Sequence, residues 1–205
     1  YAHTTRFVDE AAQRQVTIDM VNRIARREIA AVGGDDLAGF DILINATPIG
    51  LKAAGRFPVD LAALDRMLAG DGGTALVSVM LVNNETGVIQ PVSEAAQIVH
   101  RYGGLLIVDA VQAVGRIPVD IAALDADFLI LTSHKIGGPK GVGALVARGE
   151  ALMPAPLIRG GGQEKGHRSG TENFHAIIGF AAAAEAALEG LIERNAAIAR
   201  LRDDL

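Results

Sequence analysis

Leu105–Gln112 reads LLIVDAVQ and Phe128–Lys135 reads FLILTSHK. In each, a short apolar run gives way at once to side chains able to do chemistry. Runs of this length, bounded by turn residues, read as strands rather than helices. Val79–Gly87, VMLVNNETG, repeats the arrangement, with Asn83, Asn84 and Glu85 just past the apolar end. Ligands of open parallel sheets bind beyond the carboxyl ends of the strands. Three polar clusters at three such ends therefore converge on one crevice.

Short apolar runs alternate with amphipathic stretches throughout the chain, the βαβ signature of a mainly parallel sheet. Strands are expected at Val16–Val21, Ile42–Asn45, Ala75–Met80, Leu105–Asp109, Phe128–Thr132 and Gly143–Ala147. Helices are expected at Asn22–Val32, Leu61–Leu68, Ser93–Tyr102 and Ile177–Arg202, the last on its Ala, Leu, Ile, Glu and Arg content. Gly33-Gly34, Gly70–Gly73, Gly103-Gly104 and Gly137-Gly138-Pro139 punctuate them. Phe57–Asp65 (FPVDLAALD) is echoed by Ile117–Asp125 (IPVDIAALD), so Asp60 and Asp120 both read as helix N-caps. A boundary is expected near Lys52–Phe57. Residues 1–56 carry seven basic and seven acidic side chains, and residues 57–205 carry the whole net charge of −5.

Half of the 205 residues are apolar and only 4% are aromatic, which suits helices packed closely on a sheet. An acidic chain without a basic run argues against nucleic acid or an anionic membrane as partner. No apolar stretch reaches the length of about 18 residues that a bilayer span needs. The N-terminus lacks the pattern of a signal peptide, so the cytoplasm is the expected compartment. There is no cysteine, which removes disulfides, thiolate metal sites and cysteine nucleophiles, and no metal site is expected.

The three clusters suit an aldehyde cofactor. The amine of Lys135 can form a Schiff base with pyridoxal 5′-phosphate (PLP). A carboxylate such as Asp109, set beside the ring nitrogen, keeps it protonated and makes the ring an electron sink. Thr132 and His134 flank the lysine and can donate to a phosphate. Gln112 and Asn84 can bond the ring's phenolic oxygen. Each has a plainer use: a strand-end Asp commonly caps a helix, Ser-His-Lys can be a solvated turn, and Asn83-Asn84 with Gly87 can be turn chemistry.

VSVMLVNNETGVIQPV, VDAVQAVGRIPVD, TSHKIGGPKGVGAL and GGGQEKGHRSGTEN resemble, in order, the central blocks of the NifS/IscS-type cysteine desulfurases. These form part of the class V branch of fold-type I PLP enzymes. The resemblance covers residues 57–205 and implies an α/β fold, a three-layer α/β/α sandwich on a mainly parallel sheet like that family's large domain. It implies the conversion of L-cysteine to L-alanine plus enzyme-bound sulfur, in the service of iron–sulfur cluster assembly. By the same resemblance Lys135 is the Schiff-base lysine and Asp109 the pyridinium partner. Gln112 and Asn84 contact the cofactor's ring oxygen or the substrate, and Thr132 and His134 hold the phosphate. Thr171, in the Arg-Ser-Gly-Thr segment, reaches the phosphate of the partner subunit. A homodimer is implied, with a sulfur-acceptor or scaffold protein as further partner.

Several parts of that machinery are missing. The family takes sulfur on a cysteine nearer the C-terminus, and its small domain carries an arginine for the substrate carboxylate. The upstream phosphate loop and the histidine that stacks on the ring are not found in Tyr1–Arg56. Each charged hydrogen bond lost is worth roughly 1–3 kcal/mol of PLP affinity. In their place Val16–Leu51 resembles the nucleotide-binding domain of shikimate dehydrogenase. Asn45-Ala46-Thr47-Pro48-Ile49-Gly50 matches its NATPxG block, and Asn22-Arg23 its NADP-facing segment, without the glycine-rich turn. The two resemblances together suggest a chimera whose residues 1–56 join the same sheet. Three functions are expected in turn: a PLP-binding desulfurase-type domain inactive in sulfur transfer, a structural α/β domain without cofactor, and an NADP-dehydrogenase remnant.

Overall fold

The structure, a computed structural model, describes residues 42–45, 61–71 and 75–204, with Ile42–Asn45 and Asp71 described as backbone only. The strand expected at Val16–Val21, the helix at Asn22–Val32, the Asp60 cap, the Asn22-Arg23 segment and Ala46–Gly50 all lie outside the described residues.

Five strands form one sheet in chain order: β1 (Ile42–Asn45), β2 (Leu76–Met80), β3 (Leu105–Asp109), β4 (Phe128–Thr132) and β5 (Gly143–Ala147). β1 to β4 are parallel and β5 returns antiparallel to β4. Strand β1 precedes the composition boundary near Lys52–Phe57, yet pairs with β2 beyond it.

The alternation of side chains along β2 and β3 gives the sheet two unlike faces. Val77, Val79, Leu106 and Val108 are fully buried. Leu76, Ser78, Met80, Leu105, Ile107 and Asp109 on the other face are half-buried. Two helices cover the first face. α1 (Leu61–Asp71) turns Leu61, Leu64 and Leu68 inward, and α2 (Val92–Arg101) presents Val92, Ala95, Ala96 and Val99, the spacing of a single helical stripe. The C-terminal end of α2 is tied to the middle of α1 where the Tyr102 hydroxyl (2.8 Å) and the Arg101 guanidinium (3.0 Å) donate to the Asp65 carboxylate.

Between β3 and β4 the chain makes tight turns that add Ala110, Ala113 and Ala126 to the same core. Asp120 does bond as a cap, its Oδ1 accepting from the amides of Ala122 (2.8 Å) and Ala123 (2.9 Å). Beyond this cap the backbone forms a run of turns, not the expected helix. The chain is drawn straight back into the sheet through Asp125, whose φ is +52°.

The long helix expected at Ile177–Arg202 is two helices, α3 (Phe174–Leu188) and α4 (Leu191–Asp203). Glu189 turns extended, Gly190 takes the left-handed conformation (φ +59°), and the two axes bend by 66°. Composition favours helix on both sides of the break, and one glycine decides where it stops.

At the N-terminal ends of β3 and β4 sits a charged anchor. The buried Asp127 carboxylate accepts from the Leu106 amide (2.8 Å), His100 Nε2 (2.8 Å) and the Arg148 guanidinium (2.9 Å). His100 Nδ1 and Arg148 also meet Asp125. Four elements, α2, β3, β4 and β5, are thereby joined at the pole opposite the polar strand ends.

Candidate active site

In the β3–β4 register Asp109 lies directly opposite Ile130. By alternation Asp109, Ile130 and Thr132 share one face of the sheet, where Asp109 and Thr132 are half-buried and Ile130 is exposed. At the usual strand spacing and rise, the Cα atoms of Asp109 and Thr132 are about 8 Å apart. Immediately past Thr132 the chain closes a single 3₁₀ turn, Ser133–Lys135, which holds Lys135 on the same strand end. The Ser133 carbonyl accepts from the amides of Ile136 (3.1 Å) and Gly138 (3.0 Å), and its own amide donates to the Val142 carbonyl (3.2 Å). Thr132 Oγ1 and His134 Nδ1 are 3.0 Å apart, so hydroxyl and imidazole stand as a pair beside the lysine. Thr132 is half-buried, while His134 and Lys135 are exposed.

The turn is packed closely against a helix. A Cβ on Gly138 would lie 2.2 Å from Ser133 Oγ and 2.9 Å from the Ala183 Cβ of α3. One helical turn earlier, a Cβ on Gly179 would lie 2.8 Å from Pro139. Helix α3 thus seats two small residues, Gly179 and Ala183, directly on Gly138-Pro139.

The other expected residues sit on neighbouring strand ends. Asp109 Oδ1 accepts from the Val111 amide (2.9 Å), so this carboxylate also caps the turn after β3. Gln112 lies in that turn, half-buried. Asn83 and Asn84 part company after β2. Asn83 is buried, its Oδ1 accepting from the amides of Glu85 and Thr86 and from the Thr86 hydroxyl, which is turn chemistry. Asn84 is exposed, its amide bonded to Glu85 (2.9 Å). Thr171 is exposed on the loop leading into α3. Asp109, Thr132, His134 and Lys135 are therefore brought to one edge of a strand pair, with Gln112 and Asn84 on the adjoining ends. Thr171 arrives from a separate segment.

One residue escapes a reading of the sequence. Arg116, in the turns after β3, donates to the Lys135 carbonyl (3.1 Å) and to the Gln112 carbonyl (3.5 Å). Arg116 lies inside the VDAVQAVGRIPVD block, but nothing in that block says that its guanidinium turns back to the Lys135 carbonyl.

The donor set fits PLP in kind: a primary amine, a hydroxyl–imidazole pair suited to phosphate, a carboxylate and two amides, all at carboxyl ends of parallel strands. Among the described residues no group of three His, Cys, Asp or Glu could hold a metal ion.

The Aminotransferase class-V family model matches residues 45–202. The chain belongs to that family. This class V chain is 48% identical over 158 residues to the cysteine desulfurase of Gluconacetobacter diazotrophicus, covering 77% of the chain and 38% of the relative. It is 36% identical over 203 residues to the IscS-like cysteine desulfurase of Mycobacterium tuberculosis, covering 99% of the chain and 47% of the relative. The second likeness extends across residues 1–56, which include Val16–Leu51, the stretch expected to be shikimate-dehydrogenase-like. Among solved structures, the NifS-like protein from Rickettsia africae superposes with a TM-score of 0.63 at 42% identity, over 65% of this chain and 37% of that one. The fold is that of the fold-type I enzymes. The class V chain spans less than half the length of the curated relatives it matches.

Proposed function

We propose that this chain is the lysine-bearing part of a PLP-dependent cysteine desulfurase and holds the cofactor at Lys135. The observation that carries the proposal is the placement of Asp109, Thr132, His134 and Lys135 on one edge of β3 and β4, in a chain with close desulfurase relatives. Class V aminotransferases and cysteine desulfurases are PLP-dependent. The cofactor, when bound, supplies an aldehyde for amines and a ring that accepts electrons. Lys135 would bind that aldehyde. Thr132 and His134 would donate to the phosphate, the His134 ring being oriented by its bond to Thr132. Asp109 would hold a proton on the ring nitrogen, fixed in direction by the Val111 amide. Gln112 and Asn84 would orient the ring oxygen or the substrate.

The family reaction turns L-cysteine into L-alanine and leaves sulfur on an enzyme thiol. These 205 residues contain no thiol, so we infer that the chain by itself completes no sulfur transfer. A homodimer in which Thr171 serves the partner's phosphate, a sulfur-acceptor or scaffold protein as recipient, and the cytoplasm as compartment belong to the same proposal. We infer that Val16–Leu51, the shikimate-dehydrogenase-like stretch, binds no nucleotide, since it lacks the glycine-rich turn. Enhancement of NADPH fluorescence, lost in Arg23→Ala, would reverse that assignment.

A second reading, an α/β scaffold without cofactor, draws support from the exposure of Lys135 and His134 and the capping bond of Asp109. Titration with PLP separates the two. A visible absorbance band that saturates in the wild type and is missing in Lys135→Ala supports the first. No band at saturating PLP would leave the scaffold.

A further inference from the structure

The geometry points to Arg116 as the residue that positions the Lys135 turn for its cofactor, an inference that rests on the function proposed above. Lys135 sits in a one-turn 3₁₀ element at the end of β4, and its carbonyl is reached by the Arg116 guanidinium at 3.1 Å. The same guanidinium reaches the Gln112 carbonyl at 3.5 Å, so one planar fork spans the two strand-end turns that carry the amine and the amide. Arg116 is itself held. Its own carbonyl accepts from the Asn195 side chain of α4, and a Cβ on the preceding Gly115 would sit 3.2 Å from the Ala187 Cβ of α3 and 3.4 Å from Ile136 Cγ2. Gly115 and Ile136 therefore pack together beneath the bridge, next to Lys135 in the chain. The result is a clasp running from α4 through Arg116 to the main chain of Lys135. It fixes where the lysine stem begins while leaving the amine untouched. Arg116 acts through Lys135 and has no contact with reacting atoms to make, so it is a positioning residue.

Arg116→Ala and Arg116→Lys, compared with the wild type, test this in two independent ways. Hydrogen exchange of peptides spanning 133–138 needs no cofactor. It is expected to quicken about threefold to tenfold in Arg116→Ala, the range of one solvent-exposed hydrogen bond, with the melting temperature within about 3 °C of wild type. The Lys135-dependent PLP band is expected to need about threefold to tenfold more PLP in Arg116→Ala and to shift in its pH midpoint. Arg116→Lys, which keeps the charge without the fork, recovers part of both. Unchanged exchange at 133–138 in Arg116→Ala overturns the clasp whatever PLP does. Loosened exchange with an unchanged PLP midpoint overturns its role toward the cofactor. If the wild type itself gives no band, the functional proposal falls, and the exchange result alone decides whether Arg116 holds the turn.

Discussion

Asp127 shows how far a single side chain can differ from what its neighbours in sequence announce. In the sequence it is one more acidic residue before an apolar run. In the fold it is 2% exposed and accepts from a backbone amide, an imidazole and a guanidinium. Removing Asp127 strips the buried Leu106 amide of its acceptor, while His100 and Arg148 keep Asp125, at a cost of about 1–3 kcal/mol. Asp127→Ala is expected to lower the urea midpoint accordingly with unchanged slope. Its neighbour Asp125 gives a pH dependence. Burial alone would push that carboxyl up, but hydrogen bonds from Arg148 and His100, and the charges they carry, outweigh it and hold the group below its ordinary 3.8. A carboxyl that ionises more readily folded than unfolded stabilises above its unfolded pKa and loses that contribution as pH falls through the folded one. The window is therefore the acid side, below about pH 4. With its side chain 45% exposed, Asp125 contributes less than about 1 kcal/mol. Asp125→Asn is expected to reduce stability slightly at neutral pH and to flatten the decline below about pH 4. An identical decline in both proteins would show that Asp125 is not its source. Sequence spacing exposes the chemistry of Lys135, Thr132 and His134 because they lie within one four-residue stretch. It cannot expose Asp127, His100 and Arg148, which only the packing of four elements brings together.

At the scale of elements, β3, β4 and β5 are legible to the residue, and β2 to within one. Each is a short apolar run stopped by glycine or by polar residues, and its place in the sheet obeys that pattern. Helix ends are less so. Composition carries one helix through Gly190, whereas the chain bends there by 66° and α4 packs its Asn195 against Arg116. Gly190→Ala places a side chain at φ +59°, a strain of about 1–2 kcal/mol. A drop of about 2–4 °C in melting temperature per kcal/mol is the expected readout. Gly138 is stricter, because the added Cβ would collide with Ser133 and with α3 rather than merely strain the backbone. Gly138→Ala is expected to cost about 1–3 kcal/mol and to displace the Lys135 turn, weakening PLP binding as well. A Gly138→Ala protein with wild-type stability and PLP affinity would mean that α3 does not brace the site.

For the molecule as a whole, the parallel run from β1 to β4 sets the carboxyl edge of β2, β3 and β4 where ligands of such sheets bind. The helix pair α3–α4 leaves Phe174, Ile178, Leu188, Ile192, Ile198 and Leu201 exposed. Among the described residues no single helix is long and apolar enough to cross a membrane, although the bent pair passes by length and composition together. Apolar surface of this extent favours association, so light scattering is expected to give a mass above one chain as concentration rises. A constant single-chain mass would argue against the dimer in which Thr171 serves a partner.

The placement of the amine at position 135 is open to direct chemical capture. The protein is incubated with PLP, reduced with borohydride and digested, and the modified lysine is located by mass spectrometry. The expected result is one stable adduct on the peptide carrying Lys135, lost in Lys135→Ala and diminished in Asp109→Asn. Adducts spread evenly over Lys135, Lys140 and Lys165, or an adduct unaffected by Asp109→Asn, would contradict a cofactor site built on the ends of β3 and β4.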